Sequence, residues 1–502
     1  MSAPAARILL AACLALGVMA EVLFDQGALG LNVPTGVGML LIVLTFIGRR
    51  RGRPDRVDLW LPPVAMVASA LVAIRADALV VALDLALALA ATAAWAYAAA
   101  GVPVTRQSAA RVAALGGWAA MSIVAGASAI AIRASSDGPL KRACRTVGRW
   151  SPVLRGVLIA VPILVVFAGL LASADAVFAR LIDAVLALPL DPYEPARRAV
   201  VALAFSFLIA GPVALVAGLL PLDLDQLVTQ LDAVTDVPSA RLGARASTET
   251  IVVLGAIAVV FATFVVVQFG YLFGGGAGLS ATGLPYSTYA RQGYFQLVAV
   301  VGLAGALVLA GVAIAGRSRS VRGVALVLLA LTGAILVSAA VRLSLYLEAY
   351  GWTELRFYVL ASIAWLAVGG SATIVLLARD RMRWVLHALA LAAVAVTIGV
   401  SALGPQAFVT GENVARVLDP GLVPPDGETG LDLDYLLTLD ADAVPPLIAV
   451  IDELSSADRA VVLDALRVRR TTLEAEDRAA GWPGWNLGRE RAREALDGLP
   501  DR

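Results

Sequence analysis

Apolar stretches of bilayer length follow one another through most of this chain. A helix needs about 20 mostly apolar residues to cross roughly 30 Å of hydrocarbon, and windows of that kind recur from residue 7 to residue 403. Inside hydrocarbon a segment must satisfy its own backbone polar groups, which a helix does. The pattern therefore predicts an all-α fold, a polytopic transmembrane helix bundle of 11–12 spans.

Twelve segments are candidate spans, and the rest of the chain is more polar. The candidates are 7–24, 31–48, 58–75, 78–100, 112–132, 155–173, 198–220, 249–270, 293–315, 322–344, 355–378 and 384–403. The chain is 60% hydrophobic and only 15% charged, against about 25% charged in soluble domains. We therefore expect a membrane bundle over 1–403 and a small soluble helical tail over 404–502.

Charge is divided between these two parts. Residues 1–401 hold 29 Lys/Arg and 19 Asp/Glu, a net +10, whereas 402–502 hold 10 and 19, a net −9. This division fits basic loops held against anionic lipid and an acidic tail in water. The lipid bilayer is the expected partner of the bundle, and nothing in the charge pattern indicates nucleic-acid binding.

Arginine-rich connectors predict the orientation. The segments 49–53, 317–322 and 379–383 are basic and should be cytoplasmic. The N-terminus is then cytoplasmic and the tail extracytoplasmic. Residues 133–155 are also basic, yet three apolar stretches separate them from 49–53, where an even number is required. Either one loop breaks the rule or one stretch is no simple crossing, and we expect 112–132 to be re-entrant or interfacial.

Motifs of known catalytic sites are missing from the sequence. It contains no GxSxG, HExxH or Walker GxxxxGK[ST] pattern. Its two cysteines, Cys13 and Cys144, form no CxxC motif, and His387 is the only histidine. A single histidine cannot by itself make a metal site, so we expect no cofactor and no metal, and an enzyme is the least favoured class.

The predicted hairpin at 342–358 carries the densest group of charged and aromatic residues beside the spans. Arg342, Tyr346 and Tyr350 recur at i, i+4 and i+8, which places them on one helical stripe. Candidate ligand-binding residues are Arg342, Tyr346, Glu348, Tyr350, Glu354 and Arg356, with Tyr289 and Arg291 on the same predicted side. The alternative is an ordinary interfacial belt in which these charges neutralise one another.

Local signals also predict how the helices of this region begin and end. Gly351 can end the first helix of the hairpin in a left-handed cap. Thr353 can cap the second helix, with Glu354 favourably placed in its first turn. In the tail, Ser455 with Asp458 predicts a capping box ahead of an amphipathic helix.

Asp84 is the other candidate, an acid about two turns into the span 78–100. A carboxylate at that depth is expensive in lipid and counts as a candidate proton or cation site. It can equally be a protonated side chain that is hydrogen-bonded to a neighbour.

Several segments also resemble a known family. The matching stretches are 171–180, 289–295, the 342–358 hairpin, 431–437 and Trp485-Asn486-Leu487 with Arg489. They are similar to a bacterial family of multi-pass membrane proteins catalogued as a domain of unknown function, the 4173 type. The resemblance covers about the last two-thirds of the chain. It implies a location in the bacterial plasma membrane and supplies no reaction or ligand.

Three functions remain open from the sequence. The first is a non-catalytic envelope sensor or scaffold that engages an envelope protein through 404–502. The second is a transporter or carrier of a small or lipidic anionic solute. The third is a membrane enzyme acting on lipid or cell-wall precursors. The first is favoured, because a transporter usually carries more polar residues at mid-membrane.

Overall fold

The computed structural model describes residues 2–25, 27–49, 54–105, 107, 109–134, 194–220, 239–273, 294–315, 318–424, 427 and 430–499. Throughout these ranges every regular element is a helix. The α-helices are α1 (Ala3–Phe24), α2 (Asn32–Gly48), α3 (Leu61–Val72), α4 (Ala78–Ala99), α5 (Ala109–Ala134), α6 (Glu194–Val216), α7 (Ser239–Phe273), α8 (Tyr294–Ala315), α9 (Arg319–Tyr350), α10 (Glu354–Ala378), α11 (Val385–Leu403), α12 (Pro405–Leu418), α13 (Leu433–Leu436), α14 (Val444–Ile448), α15 (Ser456–Ala480) and α16 (Leu487–Asp497). The predicted all-α fold is confirmed.

Seven helices in the described ranges are long and apolar enough to cross a membrane. They are Ala3–Phe24, Ala78–Ala99, Arg197–Val216, Ser247–Val266, Arg319–Tyr350, Glu354–Ala378 and Met382–Leu403. The apolar α2 and α3 are shorter, with 17 and 12 residues. The predicted span at 155–173 lies outside the described residues. The chain is therefore a multi-pass membrane protein with a polytopic helix bundle.

Large apolar side chains cover the outside of the bundle. Val259 is 67% exposed, Val266 71% and Leu303 66%. Soluble monomers rarely expose apolar surface of this extent, because water does not solvate it favourably. Lipid tails are as apolar as these side chains and solvate them without that penalty. The exterior of the bundle is thus suited to lipid.

Small residues allow close approach between helices of the first half. A Cβ on Gly17 of α1 would overlap Ser206 on α6, so the two helices can approach only with glycine there. Gly126 of α5 and Gly211 of α6 face each other in the same way. The second half, α7–α11, joins the first through α11, which packs against α3 and α4.

The two ends of the bundle differ in what they carry. The tail end is formed by the segments 27–31, 73–77 and 350–354, and the C-terminal tail covers it. There Leu31 N donates to Trp485 O (3.1 Å), and other bonds described below fix the remaining loops. The basic end is the opposite one, and it includes Arg49 after α2, the start of α9 and the turn between α10 and α11.

α5 covers the stretch 112–132 as one continuous helix, which excludes a re-entrant reversal within it and leaves the interfacial alternative. Tyr97, near the end of α4, donates its hydroxyl to Leu115 O (2.7 Å). Arg7, near the start of α1, donates Nε to Ala134 O (3.2 Å). Tyr97 on α4 and Arg7 on α1 each lie about 30 Å along their helices from the tail end. Because α5 starts and finishes beside the basic end, it does not run from one end of the bundle to the other.

The predicted helix caps of the hairpin and the tail are present. Gly351 has φ of 72° at the end of α9. The Thr353 hydroxyl accepts from Arg356 N (3.4 Å) at the start of α10. The Ser455 hydroxyl accepts from Asp458 N (3.1 Å) at the start of α15. The caps by Thr353 and Ser455 are confirmed. α9 ends at Gly351 as predicted, but with ψ of −170° instead of the left-handed α conformation.

The tail has a hydrophobic core that includes part of the bundle. Its buried residues come from α14, α15 and α16 and include Leu447, Val462, Leu473 and Leu496. Ala76, from the loop between α3 and α4, packs against this same cluster. The tail is therefore docked on the tail end of the bundle and shares its core with a loop of the membrane part.

Candidate functional site

The candidate site is the surface where the tail covers the tail end of the bundle, called the junction below. An α-helix leaves four backbone donors at its start and four acceptors at its end without partners inside the helix. At the junction these groups bond to side chains from elsewhere in the chain. The following contacts show which helices are tied to the tail in this way.

The end of α3 is capped by the loop before α16. Asn486 is 3% exposed, and its Nδ2 donates to Val72 O (3.0 Å) and Arg75 O (2.8 Å). Leu487 N donates to Ala73 O (2.8 Å). The same asparagine accepts Arg489 N (3.1 Å) through Oδ1 and so begins α16. One side chain therefore ends a membrane helix and starts a tail helix.

The start of α4 is surrounded by carboxylates. Asp77 accepts Leu79 N (2.9 Å) and Val80 N (3.2 Å) as the N-cap. From the tail, Asp442 accepts Ala76 N (2.9 Å) and Asp77 N (3.3 Å). Asp440 accepts Ala78 N (3.3 Å). Negative charge is favourable at this positive end of the helix dipole.

The end of α9 is capped by α12 of the tail. Arg416 is 8% exposed and donates to Leu347 O (3.1 Å), to Glu348 O and to Ala349 O (3.2 Å). Asn413 accepts Trp352 N (2.7 Å) and donates to Trp352 O (2.8 Å). Two features favour glycine at position 351. Its φ is positive, and a Cβ at this position would overlap the side chain of Asn413.

Arg356, a predicted ligand-binding residue, is used inside the hairpin. Its guanidinium donates to Tyr350 O (2.9 Å), Gly351 O (2.6 Å) and the Tyr346 hydroxyl (3.2 Å). It also stacks over the Tyr346 ring at 4.2 Å. The Tyr346 and Tyr350 rings lie 4.9 Å apart, as their i, i+4 spacing predicts. These contacts show a structural role for Arg356 as the clamp of the turn.

The other predicted hairpin residues do not form one group. Arg342 is buried within α9, whereas Glu348 is exposed on the same helix. Glu354 is half-buried and accepts the amide of Gln406 (2.9 Å). Tyr289 and Arg291 lie outside the described residues. Of the predicted acids in the hairpin, only Glu354 faces the junction.

Four acids of the junction lie in two neighbouring hydrogen-bonded sets, one around Asp77 and one around Gln406. Tyr358 donates to Asp77 (3.2 Å), and Gln406 donates to both Glu354 and Asp440 (3.3 Å). Asp442 completes the group through the shared amide of Asp77. The tail, α4 and α10 therefore meet through acidic side chains.

Burial raises the pKa of two of these acids, Asp77 and Asp442. It raises the pKa of Asp77 from 3.8 to about 6, and the nearby negative charge of Glu354 adds to this shift, whereas the amides of Val80 and Leu79 oppose it. Burial also raises the pKa of Asp442, opposed by the amides of Ala76 and Asp77 and by Arg75. Asp77 and Asp442 therefore hold protons more tightly than isolated carboxylates would.

Asp84 lies one layer deeper than the junction and is fully buried. Its Oδ2 accepts the hydroxyl of Ser401 (2.7 Å) from α11. Among the described residues no donor reaches its Oδ1. Arg75 lies nearby and donates to Ser401 O and Ala402 O, which caps the end of α11. Asp84 thus faces the contact between the two halves of the bundle.

Among the described residues, no three His, Cys, Asp or Glu side chains are grouped in a way that could hold a metal ion. His387 instead packs against Trp60 (5.6 Å between ring centres) and Trp384 (5.7 Å). The junction acids are engaged with amides and hydroxyls, which favours a role in holding the tail.

Sequence reasoning missed most of the junction. Asp77 carried a usable signal, because an aspartate directly before an apolar helix is a preferred N-cap. Asn413, Arg416 and Asp442 carried none, since each bonds to a segment at least 60 residues away along the chain. Asn486 carried only the signal of a local N-cap for α16 and none for its contact with α3.

We predict that the junction loosens as pH rises toward neutrality. Between about pH 4 and pH 6 folded Asp77 keeps its proton while the unfolded chain has lost it, so stability falls as pH rises and levels off above about 6. The melting temperature should follow this slope, and Asp77→Asn should flatten it. Asp464→Asn, an exposed acid of α15, is the control. An unchanged slope in Asp77→Asn would refute the assignment.

Comparison with known proteins places the chain in a family. No curated protein and no solved structure matches it. A family model described as "Domain of unknown function (DUF4153)" matches residues 63–450, well over half of the 502 residues. The number 4173 expected from the sequence resemblance is wrong, and the match begins earlier, within α3. The chain belongs to the DUF4153 family, a domain of unknown function.

Proposed function

We propose that this chain is a non-catalytic sensor or scaffold of the bacterial plasma membrane. A partner protein would bind the tail, and the contact between the two halves of the bundle would then change. The observation that carries this proposal is the capping of membrane helices by tail side chains. Asn486 caps α3, Asp442 caps α4 and Arg416 caps α9. A partner that moves the tail would act on all three helix ends together.

The free energies of these capping contacts are large enough to couple the tail to the bundle. Loss of a helix cap costs about 0.5–2 kcal/mol, and coupling between two sites in allosteric proteins is typically about 1–3 kcal/mol. Release of two or three caps therefore covers the energy that a signal needs. The capped helices belong to both halves of the bundle, so displacement of the tail would change how the halves meet.

The distribution of charge supports an extracytoplasmic tail. Arg49, Arg322 and the turn 379–383 all lie at the basic end, opposite the tail. Cytoplasmic loops carry the excess of positive charge in membrane proteins. α5 also finishes at this end, with Arg133 in its last turn. The proposed orientation then has the basic end in the cytoplasm and the tail outside.

One observation favours the alternative of a transporter or carrier. Asp84 is fully buried within α4, and no described donor reaches its Oδ1. Intramembrane acids of this kind mark proton or ion pathways in many transporters. The bond to Ser401 and the contact between the halves would make proton binding at Asp84 sensitive to their separation. A structural, protonated Asp84 explains the same bond within the sensor proposal.

We predict the orientation from cysteine labelling in intact cells. After Cys13→Ser and Cys144→Ser, Thr471→Cys on the exposed side of α15 should react with a membrane-impermeant maleimide. Ser320→Cys, exposed at the start of α9, should react only after permeabilisation. The opposite labelling pattern would contradict the proposed orientation.

We predict a protein partner at the tail from photo-crosslinking. A photoreactive residue at Val461, 52% exposed on α15, should give a discrete protein adduct in membranes. The same residue at Val266 faces lipid and is the control. Adduct formation should persist in Asp84→Asn, whereas a transporter would lose proton-dependent flux in that variant. Adducts absent at Val461, together with proton flux that requires Asp84, would favour the transporter.

A further inference from the structure

A cavity of about 970 Å³ opens at the basic end of the bundle, far from the junction. Its walls come from α8, α9, α10 and α11, together with Gln107 from the segment between α4 and α5. Typical ligand pockets measure about 300–1,000 Å³. Nothing in the proposed sensor function uses this space.

Arginines form the rim of the cavity. Arg379, Arg381 and Arg383 alternate through the turn between α10 and α11, and all three are exposed. Arg322 of α9 lies across from them and binds Asp380 (2.7 Å). The charged residues of the lining are four arginines and one aspartate, which together carry a net charge of +3. The rim therefore attracts anions.

The turn that carries these arginines has a defined geometry. Asp380 adopts φ of 56°, a left-handed conformation that aspartate tolerates better than most residues. Arg381 N donates to Leu376 O (2.8 Å), which closes the end of α10. The ion pair with Arg322 ties the turn to α9. The spacing of the rim arginines is thus set by backbone structure before any ligand binds.

Below the rim the walls are apolar. Leu309 and Val312 of α8, Val321 of α9 and Leu377 of α10 line the interior. Leu309 and Val312 continue the apolar wall along α8 toward the middle of the membrane. A small free anion would gain nothing from such walls. A molecule with an anionic head and an acyl chain would match both parts.

We propose that this cavity binds an anionic glycerophospholipid, with the phosphate held by Arg379, Arg381 and Arg383 and an acyl chain along Leu309 and Val312. Arginine suits this role because its planar guanidinium binds phosphate through two parallel hydrogen bonds. Basic pockets between membrane helices on the cytoplasmic side are known to bind anionic head groups. The inference is independent of the proposed sensor function, since it concerns the opposite end.

General attraction between basic loops and anionic membranes makes a different prediction. That attraction depends on the number of charges near the surface and hardly on their arrangement. A defined site depends on which arginines are present and on the space beneath them. Variants that keep total charge equal but differ in position therefore separate the two explanations.

The experiment measures lipid binding to the full chain in neutral detergent, by native mass spectrometry and by lipid-induced change in melting temperature. Phosphatidylglycerol should bind and stabilise the wild type, whereas phosphatidylcholine and inorganic phosphate should not. The triple variant R379Q/R381Q/R383Q should bind phosphatidylglycerol about tenfold more weakly or worse. The triple variant R467Q/R478Q/R491Q removes three exposed tail arginines and should bind like the wild type.

A second variant tests the cavity without altering charge. Val312→Trp fills the apolar space and should also weaken phosphatidylglycerol binding, which keeps the proposal testable if the rim variant fails to fold. Equal weakening by both triple variants would leave only general attraction and overturn the proposal. If inorganic phosphate stabilised the protein as much as phosphatidylglycerol does, the site would bind free anions. If phosphatidylcholine bound as well as phosphatidylglycerol, the cavity would be a groove that does not select for charge. Either result overturns it.

Discussion

The ends of the membrane helices impose the constraint on which this structure depends. Each helix satisfies its backbone inside hydrocarbon, yet leaves donors and acceptors open at both ends. At the tail end these groups bond to a carboxylate, a guanidinium and carboxamides from the last hundred residues. A polar tail thereby becomes part of the membrane fold. Its acidic composition follows in part from this role, because the start of α4 favours negative charge.

Most of the fold could be predicted from the sequence because its causes are local. Apolar length gives the spans, and Gly351, Thr353 and Ser455 fix helix ends by chemistry within a few residues. The junction could not be predicted, since its contacts join distant segments. Arg416 reaches Leu347 across 69 positions and Asn486 reaches Val72 across 414. Neither helical periodicity nor a short motif indicates which distant residues form such contacts.

The residues of the predicted hairpin site are used in different ways, and ligand binding there stays a prediction. The hairpin does bring together Arg342, Tyr346, Tyr350 and Arg356. However, the guanidinium of Arg356 donates its hydrogen bonds to the backbone of the turn and to the Tyr346 hydroxyl. The groups that connect tail and bundle are Asp77, Asp440 and Asp442, with Glu354 alone carried over from the prediction. At this end the tail is joined to the bundle by contacts with helix termini.

The most direct test of this account is residue-level hydrogen exchange of the full chain with single caps removed. Asn413→Ala should speed exchange at Trp352 N, and Asp442→Ala at Ala76 N and Asp77 N, because these amides donate to the deleted side chains. Amides in the middle of α4 and α9 should keep wild-type rates, and Thr471→Ala should change none of them. Unchanged exchange at the three named amides would contradict the claim that the tail holds the helix ends.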